Sequence, residues 1–157
     1  MAERDRDQSG RPRNARPRDA LGRLLAGSEG VPRIPDDLEL TPSESLAYAQ
    51  DLLNQGLAFN AHEVLEAAWK NGPQDERPLW QGLTQLAVGI THVQRGNLGG
   101  ATTLLRRGSG RIGEVDDPAP YSVDVDGLVG WAAALVDELA AGAEISPPRL
   151  RPALTEP

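Results

Sequence analysis

Two stretches of this chain echo each other at an offset of 40 residues, and both turn at a glycine. Leu46 aligns with Leu86, Gly56 with Gly96, Ala61 with Ala101, and Val64-Leu65 with Leu104-Leu105. Apolar residues in each stretch recur at the spacing of one helix face, and glycine readily adopts the left-handed backbone that ends a helix. The pattern predicts two antiparallel helical hairpins packed as in tetratricopeptide repeats. The chain has three Trp, two Tyr and one Phe, so the core between the hairpins has to be built from Leu, Ala, Val and Ile.

Start and stop signals divide the hairpins into helices. Thr41-Pro42-Ser43-Glu44 reads as a capping box with Pro at the first helical position, opening a helix that carries Leu46, Ala49, Leu52 and Leu53 to Gly56. A second helix is expected from Asn60 as N-cap, with Glu63 closing a capping box and Phe59 and Val64 as a hydrophobic staple; Asn71-Gly72-Pro73 stops it. A third runs from about Pro78 to Arg95 on a stripe of Leu79, Leu83, Leu86, Ile90 and Val93. Gly82 and Gly89 cost helix propensity, about 1 kcal/mol each relative to Ala, which points to close approach of a neighbouring helix. Gly96-Asn97 opens a fourth helix with Ala101, Leu104, Leu105 and Ile112. After the Pro- and Asp-rich loop from Asp116 to Asp124, a fifth carries Leu128, Trp131, Ala132, Leu135, Val136 and Leu139 to Gly142. The expected fold class is all-α: one five-helix domain over residues 41–142, its fifth helix covering the apolar face left by the hairpins. Residues 143–157, with Pro147-Pro148, are expected to be an unstructured tail.

Residues 1–40 are expected to be a basic, largely disordered arm and an extended lead-in ending in Val31-Pro32-Arg33-Ile34-Pro35. Residues 1–23 carry seven Arg against four acids, whereas the remainder carries nine basic residues against nineteen acids. Such an arm leaves nucleic-acid binding open, although its interleaved acids and lack of aromatics favour a solvated tail. Cysteine is absent, which excludes disulfides, thiolate catalysis and Cys-ligated zinc. No apolar run approaches the roughly 20 residues of a membrane span, and no secretory signal is evident. The expectation is a cytoplasmic protein with no membrane partner; the chain is compatible with a homo-oligomer.

Chemistry concentrates in Phe59-Asn60-Ala61-His62-Glu63-Val64-Leu65-Glu66-Ala67-Ala68-Trp69. His62 and Glu66 are four residues apart and Trp69 follows three later, so all three line one side of a helix. On a wheel of about 100° per residue, His62 and Glu66 fall at the edge of the apolar arc, and Glu63 falls toward solvent or its own cap. Gln81, Gln85 and His92 share a face of the third helix, so Gln85 or His92 would meet His62 and Glu66 if the two helices pack together. The candidate pocket is therefore His62, Glu66, Trp69, Gln85 and His92. Imidazole and carboxylate suit a divalent metal such as zinc, with His62 and Glu66 as ligands. The alternative is a structural network in which His62 bonds Glu66 and the domain is a non-enzymatic interaction or oligomerisation module. The zinc-protease pattern HExxH is not met, because Glu66 stands where its second histidine belongs. With two histidines in the chain, the fullest ligand set is His62, Glu66 and His92.

The run Ala61 to Trp69, followed by Gln81-Gly82-Leu83 through Val88-Gly89-Ile90-Thr91-His92, by Gly96-Asn97-Leu98-Gly99-Gly100-Ala101 and by Val123-Asp124-Val125-Asp126, resembles the bacterial and archaeal domain of unknown function family 309, marked by HxxxExxW or HxxxExxY. The resemblance extends from about Thr41 to Leu139. It implies a small all-helical domain and directs attention to His62 and Glu66 as metal ligands, with Trp69 as their packing partner. It implies no substrate or reaction.

Overall fold

The computed structural model of the protein describes residues 40–157. The arm expected over residues 1–40 thus lies, but for Leu40, outside the described residues. Among the described residues there are five α-helices: α1 Pro42–Asn54, α2 Ala58–Asn71, α3 Arg77–Gln94, α4 Leu98–Gly113 and α5 Val125–Ala140. Short 3-10 turns stand at Gln74–Glu76, Pro120–Ser122 and Pro147–Leu150. The fold is all-α, and each helix packs against the next in chain order, most extensively α3 on α4 and α2 on α3. None of the described helices is long and apolar enough to cross a membrane.

Thr41 caps α1 as the sequence predicts. Its hydroxyl accepts from Glu44 N–H at 3.1 Å while the Glu44 carboxylate accepts from Thr41 N–H at 2.8 Å. Gly56, Gly96 and Gly142 all take a positive φ, of 79°, 80° and 75°. Beyond each glycine the chain bonds back into the helix it leaves. Leu57 N–H donates to the Leu52 carbonyl at 2.8 Å, Asn97 N–H to that of His92 at 2.9 Å, and Ala143 N–H to that of Glu138 at 3.0 Å. These bonds satisfy carbonyls that a helix end otherwise leaves open. Both hairpins are therefore closed by the same turn, 40 residues apart.

The start of α2 differs from expectation. Its N-cap is Leu57, and Ala61 N–H already donates to the Leu57 carbonyl at 3.0 Å. The tight turn at Gly56 leaves no spare residues, so the helix begins at once. Asn60 then falls inside the first turn rather than at the cap, and it is buried, as is Glu63, which the helical wheel places toward solvent or its own cap.

The core is aliphatic, as composition demands: Leu46, Leu52, Leu53, Leu65, Leu79, Leu83, Ile90, Leu105, Ile112 and Leu128 are all buried. Trp80 joins them and is one of the most deeply buried side chains. The glycines of α3 do approach α4 closely. A Cβ at Gly82 would lie 2.6 Å from Ile112 Cγ1 and 2.9 Å from the Gly108 carbonyl oxygen, and one at Gly89 would lie 3.0 Å from the Leu105 side chain. Gly108, on α4, completes the crossing.

The C-terminal segment is not an unstructured tail. Leu150 and Leu154 are buried, Thr155 forms an isolated antiparallel bridge with Val123, and Glu156 N–H donates to the Ser122 carbonyl at 2.8 Å. Gln50 of α1 and Trp131 of α5 both bond its backbone. The prolines prevent a regular helix, but two leucines bring enough apolar surface to hold the segment against the helices.

Candidate functional site

Helix α2 places His62, Glu66 and Lys70 in a row four residues apart. His62 Nδ1 lies 2.8 Å from the Phe59 carbonyl, a bond in which the ring nitrogen has to be the donor. That assigns the proton to Nδ1 and turns Nε2 toward Glu66, whose Oε1 is 3.6 Å away. The other carboxylate oxygen of Glu66 is 3.5 Å from Lys70 Nζ. The row passes from shelter to solvent, with side-chain exposures of 16% at His62, 32% at Glu66 and 59% at Lys70. Charges this open to water interact weakly.

Aromatic rings flank the row. The Phe59 ring centroid is 5.0 Å from that of His62, and the Arg95 guanidinium stands 5.4 Å from the Phe59 centroid. Trp69 carries the Arg77 guanidinium at 5.3 Å over its ring. Arg95 and Arg77 belong to opposite ends of α3, so the two cation–π contacts fasten α2 to α3 at both ends.

The five candidate residues are engaged by different elements. His62, Glu66 and Trp69 share α2 as the spacing predicts. Gln85 instead accepts from Arg111 Nε of α4 at 3.1 Å, with Gln81 accepting from Arg111 Nη1 at 3.3 Å. His92 bonds the Asn97 amide at 3.2 Å and so serves the turn between α3 and α4. Among the described residues, no group of three or more His, Cys, Asp or Glu side chains is placed to hold a metal ion.

A second polar cluster centres on Glu76. Glu76, just ahead of α3, accepts the Trp80 indole N–H at 3.1 Å through one oxygen and the Tyr121 hydroxyl at 2.6 Å through the other. Tyr121 and Ser122 both hold the left-handed backbone, with φ of 58° and 59°. The bond to Glu76, together with burial, pushes the Tyr121 phenol up to about 12. Burial also raises Tyr48 well above the usual tyrosine value. The only sequence sign of the Glu76 cluster is the Glu76–Trp80 spacing of four residues; Tyr121 comes from a distant loop. An open groove of about 400 Å³ lies between α1 and this turn, lined in part by Gln50, Asp51, Tyr121 and Ser122. None of the five candidate residues lines it.

Residues 46–104 match a family model described as Domain of unknown function (DUF309), and over that stretch the chain is similar to that family. All five candidate residues fall within it. The chain is also 44% identical over 48 residues to the Uncharacterized protein YpuF of Bacillus subtilis (strain 168), a match covering 30% of this chain and 28% of that protein. The chain thus spans less than a third of the length of the curated relative it matches. No solved structure matches.

Proposed function

We propose that this domain is a non-enzymatic helical interaction module in which His62, Glu66 and Trp69 brace α2. The position of Glu66 carries the reading: one of its oxygens stands 3.5 Å from Lys70 Nζ, which shares its charge, and the other lies 3.6 Å from the His62 ring, so the carboxylate is engaged along its own helix. Trp69 is engaged by Arg77, and Gln85 and His92 serve α4 and its turn. Each group performs a local structural task.

A divalent-metal site is the second reading, favoured by the His62 tautomer. A ring that donates through Nδ1 to a carbonyl presents its Nε2 lone pair as a ligating histidine does. Here that lone pair faces a carboxylate. Such an ion would have two protein ligands in His62 and Glu66 and would take water for the rest.

Urea unfolding of His62→Ala, Glu66→Ala and the double variant, with and without Zn²⁺, separates the two. A brace predicts losses of about 0.5–1 kcal/mol for the singles, a double loss smaller than their sum, and no response to Zn²⁺. Unchanged stability in the singles, with a Zn²⁺-dependent rise in the wild-type midpoint that both variants abolish, would overturn the brace and establish the metal site.

A further inference from the structure

Charge in this domain is segregated to an unusual degree. Residues 77–113, the whole α3–α4 hairpin, contain five Arg and no Asp or Glu. Residues 40–76 and 114–157 contain three basic residues and fifteen acidic ones. Three of the hairpin's arginines lie on the second half of α4, where Arg106, Arg107 and Arg111 are exposed. Among the described residues none of the three pairs with a carboxylate.

Arg111 is held in place nonetheless. Gln85 and Gln81 accept from its Nε and Nη1 at 3.1 and 3.3 Å. Amide oxygens fix the guanidinium without neutralising it, leaving its remaining N–H groups and full charge for an anion outside the domain. Arg107 stands one helical turn before it, on the same face. Immediately past α4 the sign reverses: Glu114, Asp116 and Asp117 are all exposed and follow Arg111 within six residues.

We propose that this basic patch and the acidic patch beside it form a self-complementary surface through which two copies of the chain associate about a two-fold axis. A two-fold contact brings residue i of one copy to residue j of the other and the reverse. Adjacent patches of opposite sign therefore make every ion pair twice, with Arg107 and Arg111 of each copy against Glu114, Asp116 and Asp117 of its partner. Guanidinium suits this role, because its planar fork grips carboxylate through two parallel bonds. Other polyanions fit less well. The face carries no aromatic side chain on which a nucleic-acid base could stack, and the −7 charge of the whole chain opposes a phosphate backbone. The inference rests on reading the domain as an interaction module, and it names the partner.

Sedimentation velocity of the full chain at low and high salt tests it. A dimer is expected at low salt, weakened about tenfold or more as the screening length falls from roughly 10 Å at 0.1 M to 3 Å at 1 M. Arg107→Glu/Arg111→Glu should be monomeric, as should Asp116→Arg/Asp117→Arg, and an equimolar mixture of the two should restore a dimer. Circular dichroism melts of each variant confirm folding, and Arg107→Gln/Arg111→Gln replaces the first if it fails to fold. A monomer at every salt and concentration, a dimer indifferent to either reversal, or a reversal that abolishes binding of a duplex RNA probe without changing the mass would each overturn the proposal. None of these results alters the His62–Glu66 unfolding cycle, so the two readings fail separately.

Discussion

Gln50 holds the backbone on either side of Ala153, from the Pro152 carbonyl to the Leu154 N–H, as a neighbouring strand would. Its Oε1 accepts from Leu154 N–H at 2.8 Å and its Nε2 donates to the Pro152 carbonyl at 3.0 Å. One amide on α1 thereby satisfies two backbone groups more than a hundred residues away, beside a leucine that is 2% exposed. Trp131 and Glu138 of α5 hold the same segment from the other side, through the Arg149 carbonyl at 2.8 Å and the Arg149 guanidinium at 2.8 Å. The C-terminal residues thus link α1 to α5.

Gln50→Ala should lower stability by about 1–3 kcal/mol, the scale for stranding partly buried backbone groups. Deleting residues 147–157 should cost more, because burial of Leu150 and Leu154 is lost as well, at about 1.5–3 kcal/mol for each leucine. Urea unfolding of the three chains provides the comparison. A truncated chain with the full-length midpoint would show that the segment contributes nothing.

Glycines on the helices should respond to alanine with opposite signs. At Gly82 an added methyl meets Ile112 Cγ1 at 2.6 Å and the Gly108 carbonyl oxygen at 2.9 Å, and a backbone oxygen cannot yield cheaply. Gly82→Ala should therefore destabilise by about 1–3 kcal/mol despite its better helix propensity. Gly110 lies on the exposed side of α4 with nothing within 4 Å of the new Cβ. Gly110→Ala should stabilise by about 0.5–1 kcal/mol. If Gly82→Ala raises the thermal midpoint as Gly110→Ala does, the α3–α4 crossing is looser than these distances state.

The glycines also show what was legible in the sequence. Helix number, the left-handed turns at Gly56, Gly96 and Gly142, and the close approach at Gly82 and Gly89 follow from local signals whose physics acts within one turn or one crossing. The start of α2 carries a competing local signal, the Asn60–Glu63 capping pattern, but the turn at Gly56 sets its N-cap at Leu57. Leu57 stands 40 residues before Asn97, the N-cap of α4, so the two hairpins start their second helices at matching positions. Gln85 and His92 fall on the predicted helix, and their hydrogen bonds run to Arg111 of α4 and to Asn97 in the turn after α3. Which side of α3 faces α2 and which faces α4 is decided by the packing of all three helices, not by the wheel of one. The anchoring of the C-terminus and the bond from Tyr121 to Glu76 join residues 45 or more positions apart, where no spacing rule applies.

That bond should make the domain sensitive to alkali. The folded chain holds the Tyr121 phenol up to about 12, first through its bond to Glu76 and then through burial, against an ordinary value near 10. Between those two values the unfolded chain gives up the Tyr121 proton while the folded chain keeps it. The stabilisation is therefore fully present below about pH 10 and is lost as pH rises toward 12. Tyr48 is raised by burial in the same sense. Absorbance titration of the tyrosinate band should accordingly show both tyrosines ionising later than free tyrosine. Glu76→Gln keeps an acceptor oxygen for the Trp80 indole but removes the negative charge that resists phenolate formation. One of the two ionisation steps should then move down toward pH 10 while the other stays in place, and the alkaline loss of stability should still begin near pH 10 but end at lower pH and be smaller. Two steps unmoved by Glu76→Gln would mean that the Tyr121–Glu76 bond does not hold the proton in solution.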